Sequence, residues 1–269
     1  ESADGNLRAV FVHYACHPVV LGMDHTQYSA DWVGAMAKTV SDSTGVPTLF
    51  LQGGCGDINP YVDKTPVDEG GIEAMRNVGR EVGDAVLAIL DGIPTSAPAE
   101  PSVKHREDWL EVGLRWNKSD PANEKLLRSI YGDLYDYYIE PLPQDLTIPL
   151  NTLVLNDSVA LVGMPGEIFV QYQLDLKARA LVDDAFLVGY ANEYHAYFPT
   201  IQAAGEGGYG GSVQTYVGLG AADKLLEQGL INIGQMTGKI HDPLVLSDFM
   251  MKDATEEEAK AFAPDDPTQ

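Results

Sequence analysis

The chain has 269 residues, 45% of them hydrophobic, with 27 glycines and 16 prolines, which is enough apolar material for one large domain or two small ones. Its 17 Lys and Arg against 40 Asp and Glu leave a formal charge of −23, so a polyanion such as nucleic acid is excluded as the expected partner, because that binding needs clustered cations. No apolar run reaches the roughly 18 to 20 residues of a membrane-spanning helix, and no transmembrane span is expected.

Asp4-Gly5-Asn6 reads as a hairpin turn leading into a buried strand over 8–16, dense in β-branched and aromatic residues. A start inside a hairpin, at Glu1, leads to the expectation that upstream material is missing and that the chain is a processed or partial product. The spacing of Trp32, Met36 and Val40 predicts a helix over 31–44. Residues 48–52 follow as a short buried strand, ending in the loop GGCGDINP. A helix over 71–90 is predicted from the apolar stripe Ile72, Met75, Val78, Val82, Val86 and Ile89.

Residues 103–116 alternate as a longer strand, and 123–139 have helical spacing. LTIPLNTLVLNDSVALVGMPGE reads as two strands joined at Asn156-Asp157 and closed by a Pro-Gly turn, with a helix from Glu167 to about 181. AFLVGYANEY is a strand, FPTIQAAGEGGYGG a glycine-rich loop, and 219–230 a helix. Strands alternating with helices place the chain in the α/β class, a mixed sheet core flanked by helices. Cys16 and Cys55 are either one disulfide or two buried thiols, and their spacing matches no CxxC metal site.

One device recurs. An apolar strand ends in a turn with a polar residue at its tip: His17 before Pro18, Asp57 after Gly-Gly-Cys-Gly, Glu167 after Pro165-Gly166, and Tyr197 before Phe198-Pro199. Ligands of α/β sheets gather at strand ends, so these side chains can converge despite their separation in sequence. A histidine, a glutamate and one further donor suit zinc. Each also has a plain structural reading: His17 as a hydrogen-bonded core histidine, Glu167 as a carboxylate at a helix N-terminus, Tyr197 as a packing residue. Composition and periodicity leave both readings open. Of the other histidines, His13 is read as structural, His25 as a candidate substrate contact, His195 as a pocket residue, and His105 and His241 as surface or packing residues.

ACHPVVLGMDHTQYSADWVGAMA, then LFLQGGCGDINP, then VGMPGE, then GYANEYHAYFPT and GGYGG, resemble in that order the neutral/alkaline (non-lysosomal) ceramidase family, in particular its bacterial ceramidase-like branch. The blocks run from about residue 8 to 220. The resemblance implies a ceramidase-like catalytic domain over 1–250, lacking its upstream part; the composition marks 251–269 as an acidic tail. It implies a Zn²⁺ cofactor with His17, Glu167 and Tyr197 as ligands. Tyr209 is implied as the donor to a tetrahedral intermediate, and Asp57 and Asn59 belong to the catalytic GDINP block. Asp31 and Asp57 are expected to orient the ligands.

Two departures matter. The family's first zinc histidine lies in a His-Thr-His type segment that this chain does not contain, so an upstream fragment of the same precursor is the expected source of a further histidine. Asn59 stands where ceramidases carry serine, which points away from ceramide itself. The function expected is zinc-dependent hydrolysis of a linear amide bond in a small molecule, with lipid-like amides in the range considered, by a secreted (extracellular or periplasmic), proteolytically processed protein. A non-catalytic, ceramidase-like binding component is the alternative. A metal-independent hydrolase using Asp31 and Glu167 as paired carboxylates is a third reading.

Overall fold

The computed structural model describes residues 1–2 and 4–241. A turn forms at Gly5, at φ 77, with Ser2 N–H donating to Asn6 O, but among the described residues no strands pair across it as the expected hairpin requires. It leads into β1 (Val10–Tyr14), which pairs in parallel with β2 (Thr48–Gln52) across α1 (Asp31–Thr44). The helix α2 (Gly71–Leu90) lies along α1. Met36 and Val40 are fully buried beneath it, each stabilising the unit by about 1.5–3 kcal/mol.

Glycine makes the contact of the two helices possible. A Cβ on Gly79 would stand 2.4 Å from Ala35 Cβ and 2.5 Å from Trp32 O, and one on Gly83 2.8 Å from Thr39. Of the stripe read from the sequence, Met75, Val78, Val82 and Val86 pack against the buried core of this unit, whereas Ile72 is not part of it and Ile89 is 63% exposed.

A four-stranded mixed sheet follows, in the order β3 (Val103–Glu111), β4 (Thr147–Leu155), β5 (Val159–Gly163) and β7 (Asp184–Val188). The first two pairings are antiparallel and β5/β7 is parallel. Asn156 and Asp157, both left-handed, turn β4 into β5. The strand expected over 103–116 stops at Glu111, because Val112 and Gly113 N–H both donate to Leu146 O and Gly113 turns away at φ 64. The helix expected over 123–139 is broken at Gly132 into α3 (Pro121–Tyr131) and α4 (Tyr135–Tyr138). α7 (Ala221–Met236) runs past the expected end because Asn232 is buried and donates to Asp108 Oδ2 and Thr152 Oγ1 of the sheet. With α5 (Val170–Arg179), α7 and this sheet enclose the larger apolar core, and the β1–β2 unit has its own.

The sheets meet where Gly189 N–H donates to Gln52 O. Here the helix expected from Glu167 begins only at Val170. Glu167 N–H donates to Ala196 O and Phe169 N–H to Phe198 O, so β6 (Glu167–Ile168) pairs in parallel with β8 (Tyr197–Phe198). The strand expected over 185–194 ends at Val188, and the loop expected over 198–211 contains α6 (Ile201–Glu206), N-capped by Thr200, and one wide helical turn over Tyr209–Val213. Cys16 and Cys55 are buried thiols, not a disulfide. The proposed boundary at 250 and the acidic tail lie outside the described residues.

Candidate active site

His17 is held from both sides. Gln52 Nε2 donates to Cys16 O, and Cys16 N–H donates back to Gln52 Oε1. The His17 N–H and its Nδ1 both face Ile58 O, at 2.9 and 3.0 Å, and Trp32 Nε1 donates to His17 O. The loop beyond is fastened by Asp31, whose carboxylate accepts from the N–H groups of Val20, Leu21 and Trp32 at 3.2, 2.9 and 2.7 Å. Asp31 thus orients the histidine through backbone. Its oxygens are engaged there, and the side chain that faces the Glu167 carboxylate is His17.

The parallel pairing of β6 with β8 brings Glu167 and Tyr197 side by side. Glu167 Oε2 lies 2.6 Å from His17 Nε2, and Oε1 accepts from Tyr194 OH at 2.5 Å. The Tyr197 ring stacks on His17 at 6.3 Å and meets the Tyr209 ring edge-on at 5.6 Å. Gly210 permits that approach, since a Cβ there would stand 2.8 Å from Tyr197 Cδ1. His17, Glu167, Tyr197 and Tyr209 therefore form one contiguous group, reached from four places in the sequence.

Ile58 O only accepts, so His17 Nδ1 carries a proton and Nε2 is the atom turned to the carboxylate. A bare Nε2 lone pair against a carboxylate is repulsive, so a contact of 2.6 Å needs a shared proton, and the facing anion places it on the ring. Burial lowers the His17 pKa, but hydrogen bonds with Cys55 and Glu167 outweigh it and raise the value to about 10. Burial likewise works against the Glu167 anion, yet His17, Tyr194 and Tyr197 together hold it below the usual carboxylate value. Burial and the Glu167 charge push Tyr194 and Tyr197 up.

A nitrogen, a carboxylate oxygen and a phenol are donors that zinc accepts, and in their residue types these three side chains fit it. Among the described residues, no group of three or more His, Cys, Asp and Glu is placed to hold a metal ion. The site has two such residues, and its third candidate donor is a phenol.

Asp57 Oδ1 caps α5 by accepting from Val170 N–H at 2.8 Å, which steadies the chain just past Glu167. With the exposed Tyr209 it lines a cavity of about 700 Å³. Asn59 is exposed, and its amide engages Asp63 Oδ2 at 3.0 Å rather than any of the other candidates. His195 is buried between Glu193 and Tyr216, behind Tyr194. His13 Nε2 bonds Leu187 O, a structural role, and His25 sits half-buried in the turn after Gly22. Sequence reasoning missed Tyr190, Tyr194 and Cys55. Three tyrosines at 190, 194 and 197 around Asn192, a residue tolerant of left-handed backbone, were the available signal.

No protein-family model matches the chain, and no curated protein sequence does. Among solved structures, the neutral ceramidase from Pseudomonas aeruginosa matches with a TM-score of 0.66 and 13% identity over 88% of this chain and 45% of that one. A ceramidase complexed with C2 matches at 0.67 and 14%, over 88% and 47%. The fold is a ceramidase fold. This chain spans less than half the length of either ceramidase.

Proposed function

We propose that this chain carries the greater part of a zinc-dependent hydrolase site acting on a linear amide bond of a small molecule other than ceramide. The observation that carries the reading is the buried opposition of His17 Nε2 and Glu167 Oε2 at 2.6 Å, beside Tyr197, within a ceramidase fold. His17, Glu167 and Tyr197 are the residues that would hold the metal. Bound zinc supplies Lewis acidity and brings the pKa of water to about 7. The phenol of Tyr209, exposed beside Tyr197, is suited to donate to the oxygen of the scissile carbonyl as negative charge develops, a contribution of about 3 kcal/mol. Asn59 in place of serine supports a substrate other than ceramide.

The remaining donor, in this reading, is a histidine from an upstream fragment of the same precursor. The outer face of the β1–β2 sheet supports it. Parallel sheets are ordinarily covered on both faces, yet Phe11 and Leu49, paired across the two strands, are 65% and 42% exposed. An extracellular or periplasmic location goes with this reading, and among the described residues no helix is long and apolar enough to cross a membrane. Asn59 also favours a second reading, a non-catalytic ceramidase-like component.

The test is metal analysis of the protein assembled with its upstream fragment, together with hydrolysis of a panel of N-acyl amines, before and after chelation. About one zinc per protein, activity lost on chelation and regained with zinc, and loss in Glu167→Ala are the expected results. Activity that survives complete chelation ends the zinc reading. Tightly bound zinc with every amide left intact favours the non-catalytic one.

A further inference from the structure

Between Tyr190 and Ala196 the backbone enters the left-handed region three times without glycine, at Tyr190 (φ 54), Asn192 (φ 70) and Ala196 (φ 55). Such a conformation costs on the order of 1 kcal/mol or more at Tyr and Ala, and it persists only where the surroundings hold it. Here they do. Tyr190 N–H donates to Gly166 O, Ala191 N–H to Met164 O and His195 N–H to Pro165 O, which rivets the loop to the turn immediately before Glu167.

The contorted path delivers phenols to one carboxylate. Tyr194 OH donates to Glu167 Oε1 at 2.5 Å, while Oε2 faces His17. The Tyr190 ring lies parallel to that of Tyr194, 5.9 Å away at an interplanar angle of 9°, and its hydroxyl accepts from the buried Cys55 thiol. Behind Tyr194, Tyr216 OH contacts both Tyr194 O and His195 Nδ1, and His195 Nε2 meets Glu193 Oε2 at 2.7 Å. Tyr194 is thus fixed at its ring by stacking and at its backbone by a chain of polar contacts.

We infer that Tyr194 is a positioning residue for Glu167: by holding Oε1 it fixes the rotation of the carboxylate, so that Oε2 alone is presented toward His17 Nε2. A carboxylate on a free terminal torsion has a broad range of orientations, and one pinned oxygen removes that freedom before any ligand arrives. The consequence for metal binding rests on the reading of Glu167 as a zinc ligand. The orientation of Glu167 does not.

The test compares Tyr194→Phe with Tyr131→Phe, which removes a phenol hydroxyl bonded instead to Val213 O. Zinc affinity is measured by competition with a chromophoric chelator, thermal midpoints report folding, and metal-free crystals of each variant report the Glu167 conformation. Loss of a hydrogen bond that orients a ligand lowers metal affinity by about 10–100-fold, and that is the result expected for Tyr194→Phe, with Tyr131→Phe like wild type. In the Tyr194→Phe crystal, the Glu167 carboxylate is expected to have rotated about its terminal torsion, with Oε1 moved from its wild-type position while the ion pair keeps the carboxylate against His17 Nε2.

An unmoved Glu167, or equal zinc affinity in wild type and Tyr194→Phe, overturns the inference. If wild type assembled with its upstream fragment takes up no zinc, the metal reading fails by itself, and the crystals alone decide the role of Tyr194. Should Tyr194→Phe not fold, p-aminophenylalanine at position 194 keeps the ring and a donor nitrogen. That variant is expected to retain the wild-type Glu167 conformation, and a displaced Glu167 in it overturns the inference.

Discussion

Replacing Glu167 with glutamine keeps the shape but removes the charge facing His17 and turns one of the two accepting oxygens into an NH2 donor. The two side chains are 8% and 11% exposed, so water screens their contact little. Removing one partner of a buried ion pair costs about 3–5 kcal/mol, and the low end applies because the amide oxygen still accepts from the ring. For a chain of this size, about 3 kcal/mol lowers the thermal midpoint by about 6–12 °C.

The sign of the pH dependence follows from both groups in the metal-free protein. His17, raised to about 10, contributes fully below its unfolded value near 6.5, and that contribution is lost as pH rises towards 10. Glu167, lowered, contributes above its unfolded value near 4.3 and less as pH falls below it. The wild type should therefore exceed Glu167→Gln most between about pH 4.5 and 6.5, with the gap narrowing towards about pH 10. Calorimetric melting of both proteins in excess chelator reads this directly. Equal midpoints near pH 5.5, or a gap that widens as pH rises, would refute the ion pair.

Asp31→Ala strips the acceptor from three amides of the loop after His17 and leaves alanine in a left-handed conformation at φ 51, so urea denaturation should show a loss of about 3 kcal/mol or more. An unchanged urea midpoint would mean that those amides find water instead. Gly79→Val forces a side chain into Ala35 and the Trp32 carbonyl, and overpacking at backbone atoms costs about 1–3 kcal/mol or more. The same variant should disturb Trp32, whose indole holds His17 O, so Trp fluorescence is expected to shift, and an unshifted spectrum with native stability would contradict the tight α1–α2 contact.

Legibility followed the range of the forces involved. The helices α1 and α2 and the strand β2 were readable to the residue, because apolar periodicity and a following turn residue are local properties. The start of α5 was not. Glu167 opens a segment of good helical spacing, and what turns it into a strand is pairing with Tyr197, thirty residues on, together with a cap supplied by Asp57 from another loop. Tyr194 was passed over for a related reason. In an extended strand it and Tyr197 would point to opposite faces, and only the left-handed residues of the loop bring both phenols to one carboxylate.

By itself the sequence determined the α/β class, the helical hairpin of α1 and α2, and which imidazole, carboxylates and phenol stand at the tips of apolar strands, since patterning and turn chemistry act between near neighbours. Only the tertiary structure decided that the buried His17 and Glu167 meet the half-buried Tyr197 and the exposed Tyr194 in one cluster while Asn59 turns to Asp63, and that Asp31 serves the backbone rather than Glu167. Those outcomes depend on strand pairing and on competition among buried hydrogen-bond donors, which couple residues 150 apart and leave no mark on any short stretch of chain.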